Sequence, residues 1–422
     1  MLTKLRSFLF QNQDTTQTIA KNTFWLFTGQ VMSRLFRAAI VIYAARALGA
    51  SSWGAFSYAL GISAFLTIFS DIGINALLTK ETARHPELQS GYLSTAFFIK
   101  LALLLLCAAG VIIITPFITD IPEARALMPI LILVFAFDTL RDLGSALARA
   151  LEKMEIEAGG SIFANFAITV IGFLALYFYG TSASLAWSYA AGSGVGLIAI
   201  IYILRKHLTH ILRHFRKELI RPILETAWPF GLLGIMGAIM INTDIIMIGW
   251  LRTAEEVGYY AAAQKLILLA YIIPALLASA TFPALSRLAG PSSEQARKLL
   301  LKSLKLITGA SIAAVIFGLL LGPLAYEFLF GAEYLPGLTA FKILLFSILI
   351  VYPGTLLGNA LFAYDDSKYF LKFVVVSTLT NAALNLALIP SYGIEGAAIS
   401  TVTTQLITNS LLYIRVKHKL KI

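Results

Sequence analysis

The sequence predicts an all-α integral membrane protein of about twelve transmembrane helices in two six-helix lobes. Three observations carry that prediction. Of its 422 residues 58% are hydrophobic and 13% charged, with a mean hydropathy of +0.81, whereas soluble domains carry about 25% charged residues. Charge-free runs recur at Ala47 to Ser70, Leu101 to Thr119, Leu266 to Ser286, Leu306 to Tyr326, Ile343 to Tyr364 and Phe373 to Ile394. Each reaches the roughly 20 residues that cross a bilayer as a helix. No succession of segments alternates in polarity over about ten residues, as the strands of a membrane barrel do.

Residues 1–22 are read as a cytoplasmic N-terminal segment, since Gln11 to Thr18 is polar where the apolar stretch of a cleavable signal would stand. The first lobe, 23–204, is expected to hold helices near 23–45, 53–78, 92–115, 126–150, 159–179 and 183–204. The run Ala158 to Leu204 is too long for one helix, and Tyr179-Gly180-Thr181-Ser182 supplies the turn that divides it. Residues 205–222 form a basic cytoplasmic linker. The second lobe, 223–415, is expected to hold helices near 224–250, 257–281, 300–326, 338–362, 369–389 and 396–415, followed by a cytoplasmic tail, 416–422. Cys107 is the one cysteine and sits in an apolar run, which rules out a disulfide-built ectodomain.

Orientation follows from the basic residues. Of the 33 lysines and arginines, 25 fall in the tails and loops on the N-terminal side and four (Arg46, Arg125, Arg252, Lys342) on the other. By the positive-inside rule both termini face the cytoplasm. The formal charge of +11 is then a topology signal, and nucleic acid is not an expected partner.

The two halves share weak similarity. The stretch Leu48-Gly49-Ala50-Ser51-Ser52-Trp53-Gly54-Ala55-Phe56-Ser57-Tyr58-Ala59 resembles Leu251-Arg252-Thr253-Ala254-Glu255-Glu256-Val257-Gly258-Tyr259-Tyr260-Ala261-Ala262, and Tyr179-Gly180 pairs with Tyr392-Gly393. Six helices per copy is an even number, so the copies share one orientation, related by an axis along the membrane normal. Two such lobes around a central cavity is a transporter plan.

The same residues resemble a known family. Ala45-Arg46-Ala47-Leu48-Gly49 followed by Trp53-Gly54, then Asp244-Ile245-Ile246-Met247-Ile248-Gly249 with Val257-Gly258-Tyr259-Tyr260, Phe282-Pro283-Ala284-Leu285, and Asn385-Leu386-Ala387-Leu388-Ile389-Pro390 with Gly393 and Gly396 resemble the polysaccharide transporters, the O-antigen and exopolysaccharide repeat-unit flippases. These belong to the multidrug, oligosaccharidyl-lipid and polysaccharide flippase superfamily. The resemblance covers nearly the whole chain. It implies a V-shaped pair of bundles in the bacterial inner membrane that carries undecaprenyl-pyrophosphate-linked oligosaccharide outward by alternating access. Implied partners are that lipid-linked oligosaccharide, membrane lipids and the glycan polymerase and ligase machinery. No cofactor is implied beyond a coupling H+ or Na+.

An ionisable side chain inside a membrane costs about 2.5–3.5 kcal/mol on insertion scales, so it should face a cavity or a partner. Arg34 and Arg37 lie at i and i+3 on the first helix, where the guanidiniums repel unless an anion or carboxylates such as Asp71 or Asp138 lie between them. A pyrophosphate fits them bidentately. Lys265 is the second lobe's candidate for the same cargo, while Lys100 is expected to snorkel to the headgroups. Asp244 is the candidate for ion coupling, because burial and a nearby cation move a carboxyl pKa in opposite directions; the bland alternative pairs it with Arg252. Asp71, Asp138 and Arg141 are candidates for gating, with Asp138, Arg141 and Asp142 spaced to neutralise one another. Asn165, Asn381 and Asn385 read as helix packing, and Gly231, Gly234 and Gly237 as a hinge or plain packing.

Two other functions compete. A cation-coupled multidrug exporter would want an acidic, aromatic pocket, whereas the deepest charges here read as basic. A polytopic enzyme of glycan assembly would need extramembrane room and acid/base groups. The outward loops are short, and no P-loop, nucleophile or metal spacing is present; His207, His210 and His214, at i, i+3 and i+7 in the basic linker, read as headgroup-facing.

Overall fold

The computed structural model describes residues 9–12, 14–209, 211–288, 293–364 and 366–420. Its helices are α1 (Thr15–Thr67), α2 (Ile74–Arg84), α3 (Gln89–Ile118), α4 (Pro122–Ala150), α5 (Met154–Tyr179), α6 (Ser182–Leu208), α7 (Ile220–Leu251), α8 (Ala254–Ala270), α9 (Ile272–Leu288), α10 (Glu294–Phe330), α11 (Leu338–Ala363) and α12 (Ser367–Leu420). Among the described residues there is no strand, and nine continuous helical stretches are long and apolar enough to cross a membrane. Many of their large apolar side chains face outward, Phe117 at 86% exposure and Phe328 at 77%, as a lipid environment requires. The protein is a multi-pass, all-helical membrane protein.

Two stretches, Gln17–Arg84 and Tyr369–Lys419, are 68 and 51 residues long, enough for two passes each. Each folds at one glycine. Gly49 (φ 75°) and Gly393 (φ 57°) take left-handed backbone that a side chain would strain, and Gly393 is where the Tyr392-Gly393 turn was expected. After Gly49 the chain restarts as helix, and the Glu333 carboxylate accepts from the Ala50 N–H at 2.7 Å, filling the role of an N-cap from a distant element. Gly180 (φ 57°) makes the predicted turn between α5 and α6, and Thr181 caps α6 by accepting from the Ser184 N–H.

Two predicted elements differ. The first helix begins at Thr15 rather than near 23, because Asp14 caps it by accepting from the Gln17 N–H at 2.8 Å. Lys21 on that added turn is sealed, its ammonium donating to Asn12 Oδ1 at 2.6 Å and pairing with Glu155 at 3.0 Å. The second predicted helix, 53–78, is interrupted. A 3-10 turn at Ile68–Ser70 and bends at Asp71–Gly73 separate α1 from α2. Ile72 sits there at φ 38°, a strained conformation for a β-branched residue. Asp71-Ile72-Gly73 is therefore a break inside the predicted 53–78 segment.

The chain divides into two compact units, one comprising residues 1–48 and 59–238, the other 49–58 and 239–422. In the first, Leu77, Leu78, Leu93, Leu143, Leu147 and Ile200 centre a core drawn from α2, α3, α4 and α6. Small residues bring helices together there, as where a Cβ on Gly196 would lie 2.5 Å from that of Ala164. Gly231 of α7 presses on the strained break, since a Cβ there would sit 2.4 Å from the Ile72 carbonyl oxygen, whereas Gly234 and Gly237 face open space. In the second unit the residue 50–58 helix packs on α8 backbone to backbone. A Cβ on Gly54 would lie 1.7 Å from the Ala254 oxygen, and one on Gly258 would lie 2.0 Å from the Ala50 oxygen.

Candidate functional site

Each unit holds a cavity; Arg34 and Arg37 line one and Asp244 the other, while Lys265, Asp71, Asp138 and Arg141 line neither. In the first unit Arg34 and Arg37 line a cleft of about 390 Å³ between α1 and α5, together with Gln30, Ser33, Glu157 and Asn165. Close contact of Gly29 with Ala158 sets the two helices against each other. Arg37 Nε donates to Asn165 Oδ1 at 3.2 Å. Glu157, the one carboxylate in the lining, pairs with Arg149 at 3.2 Å.

The carboxylates that could have neutralised the two arginines are engaged elsewhere. Asp71 accepts from Lys100 at 2.7 Å, and Arg141 donates to Asp138 at 2.6 Å and to Asp142 at 3.4 Å. Among the described residues neither Arg34 nor Arg37 is in an ion pair. Their cleft carries uncompensated positive charge. Lys100 corrects the snorkelling expectation: it is 0% exposed and also donates to Asn75 Oδ1 at 2.9 Å. The break at Asp71–Gly73 turns acceptors toward it, so the ammonium is met inside the protein.

The second unit encloses a cavity of about 460 Å³ bounded by α7, α8, α11 and α12. Asp244 lies on its wall at 3% exposure. Tyr260 and Thr401 hydroxyls each donate to Oδ2 at 2.5 Å, and Asn385 and Asn381 amides donate to Oδ1 at 2.7 and 3.3 Å. Arg252 is not its partner; that guanidinium lies 3.8 Å from Glu256 and donates to the Ile389 and Pro390 carbonyls. Asp244 thus sits buried among neutral donors, a costly state for a carboxylate unless hydrogen bonds or a cation hold it. Among the described residues Asn385 Oδ1 has no partner, so carboxylate, amide and hydroxyl oxygens converge, the ligand chemistry of a hard cation or of a proton.

Asn381 and Asn385, read from sequence as packing, belong to this acidic site. Their spacing on α12 signalled one shared face, but the carboxylate they meet is far away in sequence. The cavity is also aromatic, lined by Tyr260, Tyr271, Phe362 and Phe370, so the most buried charge facing a cavity is acidic where basic ones were expected. Lys265 is half-buried on α8 beside the lining residue Gln264 and is not itself in the lining. His207 lies 3.3 Å from the Gln89 amide, and His210 lies outside the described residues.

A multi-pass helical bundle with a cationic cleft and a separate carboxylate-bearing cavity has the character of a membrane transport protein. The chain belongs to the polysaccharide biosynthesis protein family, which it matches over residues 19–289. It is 23% identical over 398 residues to a Shigella flexneri protein named "Putative O-antigen transporter", an alignment covering 91% of this chain and 94% of that one. Its fold is similar to an inward-facing multidrug resistance MATE family transporter of the MOP superfamily, with a TM-score of 0.78 and 15% identity over 92% of this chain and 94% of the other. It is also similar to the lipid II flippase MurJ in an inward closed conformation, with a TM-score of 0.73 and 17% identity over 93% and 87%.

Proposed function

We propose that the protein moves an undecaprenyl-pyrophosphate-linked oligosaccharide from the cytoplasmic to the outer leaflet of a bacterial inner membrane, by alternating access coupled to an ion. One observation carries the reading: Arg34 and Arg37 share a cleft in which no free carboxylate neutralises them. Two guanidiniums held together in a membrane are a standing cost that a bound dianion removes. The name of the Shigella relative, an O-antigen transporter, points to the same cargo. Both termini face the cytoplasm in this reading.

Asp244 serves as the coupling group, holding a proton or a monovalent cation among Tyr260, Asn385 and Thr401 oxygens. Lys100 and Asp71, with Asp138 and Arg141, act as latches that exchange partners during the cycle, and Lys265 meets the cargo in another state.

A second reading has its own support. The acidic, aromatic cavity around Asp244 suits a lipophilic cation, and a multidrug exporter would use it so. Proteoliposomes separate the two. The flippase reading expects a polyprenyl-pyrophosphate-linked sugar added to one leaflet to appear in the other, with no accumulation of a cationic dye. Dye export without lipid movement would overturn it.

A further inference from the structure

We propose that the cavity of the second unit is a sugar subsite, taking an uncharged hexose or N-acetylhexosamine residue of the cargo while the pyrophosphate stays outside it. The inference rests on the flippase reading and adds which part of the cargo binds where. Its first support is the polarity of α12. Thr401, Thr404, Gln405, Thr408 and Asn409 all line the cavity and stand at i, i+3, i+4, i+7 and i+8, a single helix face. Thr401 donates to Asp244 and Thr408 and Asn409 to backbone carbonyls one turn back, which leaves the polar groups between them to be accounted for.

The Gln405 side chain meets the Tyr271 hydroxyl, but among the described residues two oxygens of the stripe are left over. Thr404, 2% exposed, leaves Oγ1 without a hydrogen-bond partner, and Gln405 Oε1 is buried without one. Each such atom has lost its water without gaining a partner. Both belong to residues lining a cavity of about 460 Å³, within the range of roughly 300–1,000 Å³ typical of small-molecule sites.

Shape and charge then select the ligand class. Across from α12, Asn359 and Thr355 add further neutral donors and acceptors, and Tyr271 and Phe370 add flat apolar faces. Hydroxyl-bonding edges beside aromatic faces match a sugar ring, which has hydroxyls at its rim and C–H groups on its faces. Among the described residues no lysine or arginine lines the cavity, and the one charged group that does is the Asp244 carboxylate, which repels a phosphate. Gly354 gives the stripe its place, since a Cβ there would lie 1.6 Å from Asn409 Oδ1.

The test uses the full chain in nanodiscs and two probes: a short-chain polyprenyl pyrophosphate bearing one N-acetylhexosamine, and the same lipid without sugar. The wild-type protein is expected to bind the sugar-bearing probe at least tenfold more tightly. Thr404→Val with Gln405→Leu should bring the two affinities within twofold. Thr404→Val alone, an isosteric change, should lose about threefold of the preference and serves if the pair misfolds. Arg34→Ala should weaken both probes alike. Equal binding of the two probes by wild type, or a preference that survives the α12 substitutions, overturns the sugar subsite and leaves the flippase reading standing. Failure of wild type to bind either probe ends both.

Discussion

Gly54 and Gly258 pack reciprocally in the second unit, each against the backbone carbonyl that precedes the other by one helical turn, Ala254 for Gly54 and Ala50 for Gly258. A Cβ at either position would overlap an oxygen that belongs to backbone and cannot swing away. Gly54→Ala or Gly258→Ala should therefore cost at least the roughly 1–3 kcal/mol of ordinary overpacking. The fraction of detergent-solubilised protein eluting as a folded species measures it; wild-type yield and melting temperature for both variants would refute the packing.

Lys100 and Asp71 form a pair of unequal burial, the lysine side chain 0% and the aspartate 37% exposed. Removing one partner of a buried pair costs about 3–5 kcal/mol because the other charge is stranded. The sealed ammonium is the worse one to strand, so Asp71→Asn should destabilise more than Lys100→Met, and the double variant should recover much of the loss. Thermal unfolding of the four proteins checks the order.

Asp366, in the turn between α11 and α12, accepts from Arg415 Nε at 2.6 Å and Nη2 at 3.1 Å, and the guanidinium stacks 3.6 Å over Tyr369. The hydrogen bonds from Arg415 hold the Asp366 carboxyl below its ordinary value. A depressed carboxyl pKa contributes stability above the unfolded value of about 3.9 and loses it as pH falls through the folded value. Asp366→Asn should thus melt below wild type at neutral pH, with the gap closing under acid conditions. A gap that stays constant with pH would contradict the assignment.

Asp244→Asn keeps an oxygen that can accept from Tyr260 and Thr401 but removes the charge. The variant should insert and fold, and lipid movement in proteoliposomes should stop responding to an imposed proton or sodium gradient. A normal response to both would return Asp244 to a structural role.

Much of the helical fold is legible in the sequence, because apolar runs and the turns at Gly180 and Gly393 are local signals. The break at Asp71–Gly73 is not, since nothing in Asp-Ile-Gly announces that Ile72 will be forced to positive φ by what packs around it. Asp244 was legible as an isolated acid. Its partners were not: Asn385 and Thr401 reach it across more than a hundred positions, and only folding decides that they, rather than Arg252, are its neighbours. The α12 polar stripe from Thr401 to Asn409 was not read from the sequence, although its helical spacing within an otherwise apolar segment is a local signal that could have shown it.

The central claim is that Arg34 and Arg37 hold the cargo pyrophosphate, and glycan delivery to the outer face of the membrane, measured at matched protein levels, tests it most directly. Arg34→Ala or Arg37→Ala should abolish delivery with insertion intact, and lysine at either position should restore only part of it, since a point charge cannot reproduce a bidentate fork. Full delivery by the double Arg34→Ala, Arg37→Ala variant would contradict the account.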